Sequence, residues 1–130
     1  MANAIVDKSF DFAVRIVNLY TYLKDNKKEY VLSKQLLRSG TSIGANVSES
    51  QEAQSDPDFL SKLYIALKEC SETRYWLKLL FHCNILTEVE YYSMEDDAAE
   101  IHSILVAIIK STKSNRNINV SESKGNNSKF

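Results

Sequence analysis

Apolar residues recur along this chain at alternating steps of four and three, and they do so in four separate runs. The first is Phe12, Ile16, Leu19, Leu23, and the second is Leu36, Gly40, Ile43, Val47. The third is Phe59, Leu63, Ala66, Cys70, Thr73, Leu77, Leu80; the fourth is Tyr91, Met94, Ala98, Ile101, Leu105, Ile108. A mean step of about 3.5 residues lays each run along one side of an α-helix that follows a partner helix. Strands cannot keep this period, because their side chains alternate every second residue. Only three glycines and one proline occur in 130 residues, so there is little turn chemistry to interrupt long helices. Flanking Ala13, Val17, Tyr20, Leu60, Leu67 and Phe81 widen the runs into faces broad enough for a bundle.

Boundary signals agree with the periodicity. "SDPDF" offers Ser55 or Asp56 as N-cap, Pro57 in the first turn and Asp58 to complement the helix dipole. "TEVE", Thr87 to Glu90, is a capping-box pattern. Helices are predicted near 9–26, 32–53, 57–82 and 88–112, joined by short connections that make neighbours antiparallel. The expected fold is therefore all-α, an antiparallel up-down-up-down four-helix bundle over residues 1–112. From Lys113 the chain turns polar ("KSNRNINVSESKGNNSKF"), and residues 113–130 are expected to form a disordered tail.

"GTSIG", Gly40 to Gly44, has the spacing of a serine-hydrolase nucleophile elbow. That motif needs a strand before the serine, whereas here the helical period runs unbroken from Leu36 to Val47. Gly40, Gly44 and Ser48 instead form a ridge of small residues that lets another helix approach closely. Each interior glycine costs about 1 kcal/mol against alanine, so a close contact should compensate it. A polar stripe, Ser39, Ser42, Asn46 and Glu49, runs beside the ridge and reads as a solvated face or a hydrogen-bonded seam.

Other chemistries find little support. No Glu-x-x-His pair of the di-metal bundle type occurs, and His82 beside Cys83 supplies only two potential ligands. No phosphate-loop signature is present either, so neither metal nor cofactor is expected. Arg74 and His82 are separated by seven intervening residues, outside the spacing of helical-bundle ribonucleases, yet share a helical face; a ribonuclease using this pair is the alternative reading. Two cysteines without a secretory leader suggest reduced thiols in a cytoplasmic protein. The longest apolar run, Ile104 to Ile109, is too short to span a membrane.

The formal net charge is −1, so no global basic field draws nucleic acid. Charge is uneven, however: residues 86–112 carry one lysine against six acids. Lys24, Lys27, Lys28, Lys34 and Arg38 gather around the first connection and are the candidate phosphate contacts. Ile104, Val106 and Ile109 lie outside the fourth run, as Tyr64, Tyr75 and Trp76 lie outside the third. A self-association surface is therefore expected to include Gly40, Gly44, Ser48, Tyr75, Trp76, Ile104 and Ile109.

The segments "SIGANVSE" (Ser42 to Glu49) and "ALKECSETRYWL" (Ala66 to Leu77) resemble those of the 23S ribosomal RNA intervening-sequence proteins, a ribosomal-protein-like family. The resemblance covers residues from about 8 to 110. It implies a four-helix bundle assembled as a homopentamer. It further implies kinship with the accessory variability protein of diversity-generating retroelements, a basic pentamer that binds nucleic acid and a reverse transcriptase. This chain departs from that relative in its acidic fourth helix. The expected function is thus a non-enzymatic oligomeric scaffold associated with RNA or a ribonucleoprotein.

Overall fold

The computed structural model describes the backbone of residues 3–127 and the side chains of residues 4–115. It contains four helices: α1 (Asn3–Asn26), α2 (Leu32–Ser50), α3 (Asp56–His82) and α4 (Glu88–Asn127). Neighbours in sequence are neighbours in space and run antiparallel, and α4 closes back on α1 over a shorter contact. The buried residues follow the sequence period closely. Phe12, Ile16 and Leu23 of α1 meet Leu36, Ile43 and Val47 of α2, while Leu63, Ala66, Cys70, Leu77 and Leu80 of α3 meet Met94, Ala98, Ile101 and Leu105 of α4.

The starts of α2, α3 and α4 each have a visible cause. Ser55 accepts a hydrogen bond from the Asp58 N–H at 3.3 Å, with Pro57 in the first turn of α3. Thr87 and Glu90 complete the capping box of α4: the Thr87 N–H donates to Glu90 at 2.8 Å and the Glu90 N–H donates to Thr87 at 3.2 Å. The cap of α2 is less conventional. Glu29 bends forward and accepts from the N–H groups of Val31, Leu32 and Ser33, doing for α2 what an N-cap serine would do. At the end of α3, Asn84 takes a left-handed conformation (φ 61) and the Ile85 N–H reaches back to Leu80 at 2.9 Å.

Three boundaries differ from expectation. α1 begins at Asn3 rather than near residue 9, which brings Ile5 into the core. α2 ends at Ser50 rather than 53, where the Ser50 hydroxyl turns onto the Val47 carbonyl at 2.6 Å. α4 continues to Asn127, so the stretch 113–127 of the expected disordered tail is helical; residues 128–130 lie outside the described residues. No proline or glycine stands between Glu88 and Gly125, so nothing in the sequence breaks the backbone hydrogen-bond ladder there.

Candidate nucleic-acid and self-association surfaces

The small-residue ridge of α2 is taken up within the chain. A Cβ added at Gly40 would meet the Ile16 side chain at 2.7 Å, and one added at Gly44 would meet the Ser9 carbonyl oxygen at 3.0 Å. The helix that approaches is therefore α1 of the same chain, and Gly40 is buried beneath it. Gly40 is thereby corrected: it lies in an intramolecular seam, buried under α1, whereas Gly44 meets α1 and stays half-buried at the surface. Ser48, one turn further, is exposed.

The polar stripe divides in two. Ser39 is buried, its hydroxyl sharing a 3.0 Å hydrogen bond with Thr73 of α3, so it belongs to the seam between α2 and α3. Ser42 donates to the Arg38 carbonyl at 2.6 Å and Asn46 donates to the Ser42 carbonyl at 2.8 Å. A serine hydroxyl tied to its own helix backbone, with no histidine or acid bonded to it, is a structural group.

On the other side of that seam, Arg38 spans to α3 and pairs with Glu69 at 3.2 Å and with Glu72. The Trp76 indole N–H donates to Glu72 at 3.0 Å. That bond and the Arg38 guanidinium hold the Glu72 carboxyl below the usual range against a smaller penalty for burial. Both arms of the Arg38 fork are engaged by carboxylates, one of them the buried Glu69, only 8% exposed and in need of a cation. Trp76, half-buried and bonded to Glu72, is likewise part of this intramolecular cluster.

The remaining basic candidates do gather at one end of the bundle. Lys27, Lys28 and Lys34 are exposed and Lys24 is half-buried. Lys24 and Lys27 lie over the rings of Tyr20 and Tyr22, at 5.6 and 5.9 Å. Lys28 occupies the left-handed region (φ 55), a price of the tight exit from α1.

Arg74 crosses to α4 and grips Glu95 with two prongs, Nε at 3.0 and 3.1 Å and Nη2 at 2.8 Å. The pair lies in a cavity of about 440 Å³ shared with Ser71, Tyr75, Lys78 and Tyr91. His82 does not line it; it is exposed at the end of α3, its ring tilted against Phe81. Beneath, the Cys70 thiol is pushed up to about 11, chiefly by burial, and donates to the Ala98 carbonyl at 3.3 Å.

Ile109 requires a second correction. It is 5% exposed and belongs to the core, while Ile108 and Ile104 are half-buried. The inward run of α4 takes a step of four after Leu105, which turns Ile109 in and Ile108 aside. Tyr75 is exposed. Sequence reasoning missed an exposed apolar stripe, Phe10, Val14 and Val17 on the outer side of α1, and wrongly counted Val17 towards the bundle face. Its own four-three spacing, offset from Phe12 and Ile16, was the available signal.

No helix among the described residues is long and apolar enough to cross a membrane, and no group of three metal-binding side chains occurs among them. A comparison with curated proteins gives no match. A crystal structure of a protein of unknown function from the S23 ribosomal protein family of Bacteroides thetaiotaomicron is similar over 84% of this chain and 97% of its own, with 55% identity and a TM-score of 0.83. Residues 1–107 match the family description "23S rRNA-intervening sequence protein". Four antiparallel helices, the small-residue seam and this match together establish that the chain belongs to the 23S rRNA-intervening sequence protein family.

Proposed function

We propose that the chain is a self-assembling helical scaffold, without catalytic chemistry of its own, that associates with RNA or a ribonucleoprotein in the cytoplasm. The observation that carries this reading is the stripe Phe10, Val14 and Val17, with Phe10 66% exposed. Large apolar side chains aligned on one outer helix face are what a second copy covers. Phe10 also borders a shallow cavity of about 400 Å³ with Val6, Gly44 and Ser48, a recess beside the stripe for a neighbour's side chain. Five subunits is the number implied by the family resemblance. RNA is the partner class that the family's name suggests, and Lys24, Lys27, Lys28 and Lys34 are the groups suited to touch its phosphates. Two free cysteines suit a reducing compartment.

A ribonuclease built on Arg74 and His82 has less support, because Glu95 occupies the arginine fork and His82 stands outside its cavity. The test is ultraviolet crosslinking in native cells, followed by sequencing of the RNA bound to wild-type and Lys27→Glu/Lys28→Glu protein. The reading expects crosslinked RNA that falls severalfold in the double variant. Wild-type protein with no crosslinked RNA would contradict it.

A further inference from the structure

The outer side of α3 carries an unbroken exposed row at steps of four and three: Tyr64, Lys68, Ser71, Tyr75, Lys78 and His82. All six lie within a narrow arc of the helix, over a length of about 27 Å at about 1.5 Å per residue. The row holds no carboxylate. The acids on either side are paired: Glu69 and Glu72 share Arg38, which leaves one negative charge over, and Glu95 is matched by Arg74. Lys68 and Lys78 make no ion pair among the described residues. Lys113 of α4 adds a further cation at one end, donating to the Tyr64 hydroxyl at 2.9 Å.

We infer that this row is a binding track for single-stranded RNA, separate from the lysines of the first connection. The inference rests on the proposed association with RNA and specifies where and in what form the strand is held. Aromatic rings alternating with cations fit a single strand, whose unpaired bases stack on tyrosine while its phosphates meet lysine. A duplex hides its base faces and gains nothing from Tyr64 or Tyr75. The cavity between Tyr75 and Tyr91, with Ser71 and Lys78 on its rim, lies in the middle of the row and gives a base room to leave the strand. The two arginines lower the negative charge flanking the row, and Lys68 and Lys78 outnumber the one carboxylate charge left over.

The experiment is fluorescence anisotropy of a labelled twelve-nucleotide single-stranded RNA, and of its blunt duplex, titrated with the full-length chain. The single strand should bind more tightly than the duplex. Tyr75→Ala should weaken it roughly tenfold, as loss of one stacked base does, while Tyr75→Phe should retain binding. Lys78→Gln should weaken binding and reduce the slope of log affinity against log salt by about 0.7, one phosphate contact on a single strand. Equal affinity for strand and duplex would overturn the inference. So would unchanged affinity in Tyr75→Ala and Lys78→Gln alongside loss in Lys27→Glu/Lys28→Glu, which would leave RNA association standing on the first connection alone. Absence of binding to either RNA would overturn both readings. A changed sedimentation coefficient in Tyr75→Ala would assign the row to a subunit contact and overturn the track.

Discussion

A methyl group added at Gly40 has nowhere to go. Both branches of Ile16 face it, at 2.7 to 2.8 Å from the added carbon, and Ile16 is itself fully buried. A β-branched side chain has few rotamers to escape into. Gly40→Ala should therefore destabilise the protein by about 2 kcal/mol, since overpacking outweighs the roughly 1 kcal/mol that alanine gains in helix propensity. Ile16→Ala removes all three of those carbons, so the alanine at position 40 should cost less in that background. Urea unfolding of the two single variants and the double variant measures this coupling, and purely additive effects would contradict the seam as described. That two glycines marked a close helix approach was legible in the sequence. Which helix approached was not, because Ile16 and Ser9 meet the ridge only through the fold. The same holds for Arg38: its charge placed it among phosphate contacts, and Glu69, thirty-one residues away, claims it.

At the scale of the elements, spacing and capping patterns carried most of the information. The Ser55 and Thr87 caps and the inward runs were readable because both are local. Glu29 was not, since a glutamate curling onto three N–H groups ahead of it follows no fixed motif. Burial raises the Glu29 carboxyl, but the N–H groups of Leu32, Ser33 and Val31 outweigh it and hold the group below its ordinary 4.5. Glu90 is likewise lowered, first by the Thr87 N–H and against burial, with help from the Tyr22 hydroxyl and Lys27. A carboxyl lowered in the folded state stabilises it above 4.5, and that stabilisation is lost as pH falls through the folded value. Stability should thus decline below about pH 4.5, and Glu29→Gln should flatten that decline. Cys70 acts at the other end: its raised thiol favours folding below 9.0, and the contribution fades as pH rises towards about 11. Urea midpoints measured from pH 3 to 7 check the acid limb, and equal slopes for wild type and Glu29→Gln would contradict the cap. Ile109 shows where element-level reading stops. A heptad extended to Ile108 misses by one residue once α4 reaches the open end of the bundle, near Ala4, Ile5, Phe59 and Leu63.

Across the whole molecule, charge and apolar surface are sorted by side. α4 turns Asp97 and Glu100 towards α1, where Arg15 meets Asp97 at 2.6 Å and Lys8 meets Glu100 at 3.2 Å. The acidity that made the fourth helix look hostile to nucleic acid is partly offset by cations of α1 at the surface between the two helices. What is left outside α1 is Phe10, Val14 and Val17, and the account's central claim is that another copy covers them. Because Ile109 is core, replacing it would unfold the chain and say nothing about assembly; Val14, 46% exposed, is the informative position. Sedimentation velocity at micromolar concentration, on wild type and Val14→Asp, is the direct measurement. The account predicts a single oligomer for wild type and a helical, folded species of smaller size for Val14→Asp. A folded wild-type monomer, or a Val14→Asp protein that sediments as wild type does, would contradict it.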